Sequence, residues 1–347
     1  LGRELREQDG IRWAVLPSDA GRVEVALCPH ADLWGAWQVL CTGSEPHVLA
    51  LRGRADGLDA DGLRLGGQTV PCPEEQAVYA ALGLLVTAPE RREQDVPLVG
   101  VGVARPALIR RGDLQGALHN HTTASDGVHS LVQMRAAAEE LGLSYLGISE
   151  HSQTAAYAGG LPPAVLLEQV AAIAALNATP GCTLLSGIES DILRDGSLDY
   201  DDDVLGALDV VIASVHNRYG QGPEDTTRKM VAAARNPLTH VIGHPTGRLL
   251  LGRPPTEYDV VAMLDAVAER GAAVELNCHP QRLDLNERWL AEAKARGVLV
   301  SISADAHSAQ GLSHLQYGID IARRAGLTAD DVLNCKPLQA LREWLCS

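Results

Sequence analysis

From Gln115 onward, short apolar runs alternate with amphipathic stretches, and this alternation constrains the fold more than any other feature of the sequence. Candidate strands lie near 115–119, 145–149, 183–188, 209–215, 239–243, 272–277 and 298–303. The helices between them have legible ends. Ser130 with Gln133, and Thr256 with Asp259, have capping-box spacing, while Gly142, Gly271 and Gly297 stand where a helical pattern stops before a strand. Strands separated by helices pair in parallel, because each helix carries the chain back to the same end of the sheet. Seven such units predict an α/β fold, a distorted (β/α)7 barrel preceded by a smaller N-terminal α+β domain. In barrels of this kind reactive groups gather at the C-terminal ends of the strands.

That rule selects a set of residues. His119 and His121 end the first strand, with Asp126 in the loop beyond; His151 follows the second, Glu189 ends the third and His216 follows the fourth. His244 follows the fifth, and the seventh delivers Asp305 and His307. The sixth ends in Asn277-Cys278-His279, where Cys278 is expected in the core and His279 beside substrate or behind a ligand. In extended chain a His-x-His pair puts both imidazoles on one side. Imidazoles and carboxylates crowded together at one rim are costly unless cations neutralise them. The set contains no thiolate, which suits zinc, manganese or iron(II). Nine ligands exceed the needs of one or two ions, so a trinuclear centre follows, with Glu189, the only Glu among them, as the bridge. Arg248, Arg253 and Arg282 follow the fifth and sixth strands on the same rim and are candidate phosphate contacts. His129, His240 and His314 fall within helix or strand patterns and are expected to be structural.

A net charge of -15 argues against a general duplex-binding surface, whose affinity comes from cations on phosphates. Of the 29 basic residues only Lys229, Lys294 and Lys336 are lysines, so anion contacts fall to arginine. The seven cysteines are scattered without a Cys-x-x-Cys pair, which points to a reducing cytoplasm. There is neither an apolar run of membrane-spanning length nor a signal-peptide pattern, so no membrane partner is expected. The first residue is Leu1 rather than Met, which suggests a fragment or processed product. Residues 1–86 read as a small domain: a hairpin turning at Pro17–Gly21, a helix over about 32–40, a second helix capped by Ser44 and another at 74–82. Residues 87–111 read as a linker and 112–347 as the barrel. His30 and His47 are expected at the surface, and Glu24 on a solvated strand edge.

The rim motifs, His119-x-His121-x(4)-Asp126-Gly127, Glu150-His151-Ser152, Gly187-Ile188-Glu189, Ser214-Val215-His216, Gly243-His244-Pro245 and Ala304-Asp305-Ala306-His307, resemble the PHP domain of polymerases and histidinol phosphatase. The resemblance covers about Gly112 to Ser347. It implies three divalent ions, manganese or zinc: one on His119, His121, Glu189 and Asp305, one on Glu189, His216 and His244, and one on Asp126, His151 and His307. The form it looks most like is the C-terminal domain of bacterial X-family DNA polymerases, through Gly247-Arg248-Leu249-Leu250-Leu251-Gly252-Arg253 and Asn277-x-x-Pro280-x-Arg282-Leu283-Asp284-Leu285. Residues 1–85 look like the end of that family's palm and its thumb, through Gly21-Arg22-Val23-Glu24-Val25 and Thr42-Gly43-Ser44-x-x-His47. Glu24 stands where the palm carries its third catalytic Asp, and the strands bearing the other two are absent, so polymerisation is not expected. The activity the resemblance implies is a metal-dependent 3′-to-5′ exonuclease on DNA, with 3′-phosphatase or abasic-site cleavage beside it. Glu189 and the three arginines are the expected catalytic residues. The partners would be DNA 3′ ends, single-stranded or gapped, and an upstream polymerase half of the same protein. The alternatives are a small-molecule phosphatase of the histidinol-phosphatase type and a non-catalytic structural domain.

Overall fold

Residues 4–18, 21–93, 96–104, 106–216 and 222–347 are described by the computed structural model, which divides into two units, Leu1–Pro106 and Ala107–Ser347. In the first, β1 (Glu4–Gln8), β2 (Ile11–Ser18) and β3 (Gly21–Ala26) form an antiparallel meander. Residues 19 and 20 of the predicted Pro17–Gly21 turn lie outside the described residues. Helices α1 (Trp34–Thr42) and α2 (Glu45–Arg52) follow, then a second meander of β4 (Gly57–Asp59), β5 (Gly62–Leu65) and β6 (Gln68–Val70), and α3 (Glu75–Ala81). Ser44 caps α2 by accepting from the His47 backbone N–H.

Trp37, Val39, Leu51, Leu58, Leu63 and Tyr79 make the core of this unit. His47, expected at the surface, is buried instead, its Nε2 2.8 Å from the Tyr79 hydroxyl, because it shares the inner face of α2 with Val48 and Leu51. Arg92 is also fully buried, and its guanidinium grips Glu75 of α3 through two bonds of 2.7 and 3.0 Å. The stretch just past Ala81 is thereby packed onto the first core. Glu24 is exposed and ion-paired with Arg6.

In the second unit every apolar run forms a strand: β7 (Gly116–Ala117), β8 (Tyr145–His151), β9 (Thr183–Asp191), β10 (Val210–Ser214), β11 (Val241–Ile242), β12 (Ala273–Asn277) and β13 (Leu299–Ser303). All pair in parallel with their neighbours in sequence, in one seven-stranded sheet. A parallel bridge between Asn120 and Ala306 joins the chain beyond β7 to the chain beyond β13, so the sheet is a nearly closed barrel. Helices α4 (Leu131–Glu140), α5 (Pro163–Asn177), α6 (Asp202–Leu205), α7 (Pro223–Arg235), α8 (Val260–Arg270), α9 (Glu287–Ala295), α10 (Leu315–Ala325) and α11 (Leu338–Leu345) complete it.

The two faces of each strand have different neighbours. Leu146, Ile148, Leu184, Ile188, Val274 and Ile302 pack in the large core with apolar residues of the helices, while Tyr145, Leu185, Val210, Ile212, Val241 and Ala273 fill the interior at the starts of the strands. With a period of two, the inner face continues toward the C-terminal ends as His151, Glu189, Asp191, Glu275 and Asn277. Cys278 faces outward as expected, packed so closely on α10 that a Cβ at Gly318 would lie 2.1 Å from its sulfur.

The predicted ends mostly hold. Ser130 and Gln133 form a reciprocal capping box, and Gly142, Gly271 and Gly297 all have positive φ. The second predicted box does not form. Thr256 donates its N–H to the Thr246 carbonyl, and the helix starts beyond it, with Asp259 itself capping α8 by accepting from Ala262. Among the described residues all seven cysteines are free, and no helix is long and apolar enough to cross a membrane.

One buried amide adds a second tie between the first and last strands. Asn334 Nδ2 donates to Gly116 of the first strand (2.7 Å) and to Ile302 of the last (2.9 Å), and its Oδ1 accepts from the Ile302 N–H (2.9 Å). Asn334→Ala leaves these buried groups without partners, at a cost of about 1–3 kcal/mol for each unsatisfied group. Urea denaturation should show a fall of several kcal/mol or outright failure to fold, and a midpoint within error of wild type would refute this role.

Candidate metal centre

The middle of the rim is Glu189, 1% exposed. Strand β9 turns it inward, and five imidazoles surround it. His244 Nε2 and His216 Nε2 lie 2.7 and 3.1 Å from Oε1, while His151 Nδ1, His119 Nε2 and His121 Nε2 lie 3.0, 3.4 and 3.7 Å from Oε2. Asp305 Oδ1 is 3.2 Å from His121 Nε2 and 3.8 Å from His119 Nε2. On the outer side, Asp126 lies 3.3 Å from His307 Nε2 and 3.5 Å from His151 Nε2. The nine rim residues therefore meet in one place.

Among the described residues three groups have ligand atoms all within 4.8 Å of one another: His119, His121 and Asp305; His151, Glu189 and His216; and His121, Asp126, His151 and His307. His244 reaches the centre through Glu189. Strand β7 stops at Ala117, so the common direction of His119 and His121 comes from the Asn120 bridge beyond it rather than from a continuous ladder. Gly127 lets the Asp126 loop lie on this segment, since a Cβ there would come within 2.7 Å of the His121 backbone. His244 and Asp305 have φ of 23° and 50°, a region that non-glycine residues enter at a cost and that recurs at ligand sites.

The donor chemistry fits divalent cations. His119 Nε2, His121 Nε2 and His151 Nδ1 are buried, lie 3.0–3.7 Å from carboxylate oxygens of the centre and form no well-aligned hydrogen bond to them, an arrangement that suits a cation between nitrogen and oxygen. The field of the pocket calls for positive charge. Burial disfavours a charged His151, yet Glu189 and Asp126 raise it to about 10; burial likewise opposes His216, yet Glu189 and Asp191 raise it to about 9. Glu189 is buried too, but His216, His119 and His151 hold it well below the usual carboxylate range, and Asp305 is held down against burial by His119 and His121.

Two carboxylates that orient ligands escaped the sequence reading. Glu275 Oε1 lies 2.7 Å from His119 Nδ1, and its Oε2 accepts the His244 N–H at 2.6 Å; Asp191 Oδ1 bonds His216 Nδ1. For His119 and His216 the carboxylate holds Nδ1 and aims Nε2 at the centre, whereas His244 is held through its backbone N–H. Both had a signal: Asp191 is two residues beyond Glu189 on one strand face, and Glu275 is an acid inside an otherwise apolar strand. The ambiguous sixth strand thus supports ligands, since Asn277 also donates to Asp305 at 2.9 Å. Glu150 turns outward, accepting from Thr122, Ser125 and Gln169 and holding the Asp126 loop.

The arginines diverge. Arg282 Nε lies 3.5 Å from Asp305 Oδ2. Arg248 donates to the Arg282 and Leu283 carbonyls, and Arg253 to the Gly247 carbonyl, tying rim loops together. His279 stays off the ligand groups, its ring edge-on to His314. His129 and His240 accept backbone N–H groups of Ala309 and Val211.

A parallel barrel with His/Asp/Glu clusters at its C-terminal mouth defines a metal-dependent hydrolase. The chain belongs to the PHP domain family: the model described as "PHP domain" matches residues 117–279. It is 36% identical over 313 residues to the DNA polymerase/3'-5' exonuclease PolX of Bacillus subtilis, covering 88% of this chain and 54% of that protein, so it spans about half that relative's length. A protein of Tolumonas auensis named "Probable phosphatase" is 31% identical over 229 residues, covering 63% of this chain and 89% of the relative. A solved histidinol phosphate phosphatase from Lactococcus lactis aligns with a TM-score of 0.42 at 16% identity, over 60% of this chain and 93% of that one.

Removing an orienting carboxylate should loosen metal without unfolding the barrel. Glu275→Gln and Asp191→Asn are each expected to weaken divalent-metal affinity about 10- to 100-fold, read by competition with a fluorescent chelator. Wild-type affinity in both variants would show that the far nitrogens need no support.

Proposed function

We propose that the barrel unit hydrolyses phosphodiester bonds at DNA 3′ ends, as a divalent-metal-dependent 3′-to-5′ exonuclease. 3′-Phosphate and abasic-site cleavage would be side activities of the same centre. The observation that carries the reading is buried Glu189 within 3.7 Å of five imidazole nitrogens, with the Arg282 guanidinium beside Asp305. The kinship with an exonuclease-bearing polymerase supports DNA as the substrate.

His119, His121, Glu189 and Asp305 would hold one ion, Glu189, His216 and His244 a second, and Asp126, His151 and His307 a third, each manganese or zinc. Bound cations supply the acidified water and the charge neutralisation that phosphoester hydrolysis requires. The chain's own groups do the rest. Glu275 and Asp191 keep His119, His244 and His216 in position, and Asp305 steadies Arg282. The Arg282 fork, 19% exposed, is free to take non-bridging phosphate oxygens. Arg248 and Arg253 serve by stiffening the loops that carry it. The net charge of -15 repels the body of a nucleic acid and leaves the mouth as the place where a phosphate is welcome.

A second reading, a phosphatase of small phosphoesters, is favoured by the relative named as a phosphatase, nearly all of which this chain covers. The test is direct. With 5′-labelled single-stranded DNA and manganese, the chain should give a descending ladder that disappears in Glu189→Ala and His121→Ala. Arg282→Ala should lower kcat/KM about 10- to 100-fold, the worth of a charge-assisted contact. Absence of a ladder together with rapid histidinol-phosphate turnover would replace the first reading by the second.

A further inference from the structure

Aromatic side chains are scarce in this protein, seven Tyr and five Trp with no Phe, yet one of them stands beside the metal centre and open to solvent. Tyr157 is 71% exposed, and its ring centroid lies 6.2 Å from those of both His151 and His216. The interplanar angles are 54° and 72°, so neither imidazole covers the phenol and a ring face stays open.

The loop that presents it is held firmly. Ala155 and Ala158 on either side are buried, Ala158 and Gly160 donate to the Ala155 carbonyl, and Leu161 donates to the carbonyl of His151 itself at 2.9 Å. A Cβ at Gly160 would lie 1.9 Å from the Ser152 carbonyl, so the loop is closed tightly against the end of β8. A large ring fixed next to the ligands, with none of the described residues stacked on it, has no packing role among them to explain its exposure. A rigid aromatic beside a phosphate site is what a nucleobase stacks on, and a small phosphoester without a ring has no use for it.

We propose that Tyr157 is a substrate-positioning residue, stacking the base of the 3′-terminal nucleotide while its phosphodiester lies at the centre. The proposal rests on the nuclease reading above and narrows it to base-bearing ends. Because stacking engages a π-face that every base has, it confers a preference for a base over none rather than for one base over another.

The test uses two 5′-labelled oligonucleotides with manganese, one ending in an ordinary nucleotide and one in a tetrahydrofuran abasic analogue, on wild type, Tyr157→Phe and Tyr157→Ala. Wild type should favour the base-bearing end by about tenfold in kcat/KM. Tyr157→Ala should abolish that preference, mainly through KM, and Tyr157→Phe should keep it. Equal losses on both substrates in the alanine variant would overturn the proposal in favour of support for the metal ligands, and a phenylalanine variant as impaired as alanine would overturn it in favour of the hydroxyl. Wild-type hydrolysis of both ends at one rate defeats the stacking role alone. Hydrolysis of neither defeats the nuclease reading and this proposal together.

Discussion

A carboxylate removed from water must be answered by positive charge, and Glu189 sets that condition for the whole barrel unit. Its burial is made by β9, which has neighbours on both edges and is covered on both faces. The answering groups come from the ends of other strands, which only a parallel, nearly closed sheet can bring to one rim. The imidazoles supply that charge only by holding protons that burial resists, as at His151 and His216. Cations taken up here displace those protons, so metal affinity and acidity are opposed in this pocket. Glu275 and Asp191 belong to the same balance, because they fix which nitrogen of each ring faces inward.

The strand–helix alternation made the barrel legible. Apolar runs at a regular interval leave little choice but parallel pairing, and the rule that strand ends carry the chemistry then picked out residues that do meet around Glu189. The sequence was silent on what depends on side-chain direction within a loop. Arg248, Arg253 and Arg282 look alike in sequence, but only Arg282 extends to an acid of the centre, while the others bind carbonyls. His47 was misplaced because a single imidazole on a short helix gives no sign of which face it occupies until α3 is known to pack there. Glu275 and Asp191 are hard to read in the sequence for another reason: they stand inside strands behind the ligands, and ligand spacing says nothing about such acids.

The rim is stiffened by polar groups that touch no ligand. Asp284 is fully buried and accepts from Thr246 N–H, Thr246 Oγ1 and Gly247 N–H, and burial, opposed by those bonds and by Arg248, pushes its pKa up to about 6. The loops after β11 and β12 are thus laced into one piece, which steadies Arg282 at the mouth.

The Asn334 clasp also orders events in time. During synthesis the ribosome releases His119 and His121 long before residue 334, and until that amide emerges Gly116 and Ile302 have no link through it. His119 and His121 therefore gain the Ala306 bridge before this second link between first and last strands can form. The amide that ties the first strand to the last thus lies more than 200 residues along the chain from the first histidines it helps to hold in place.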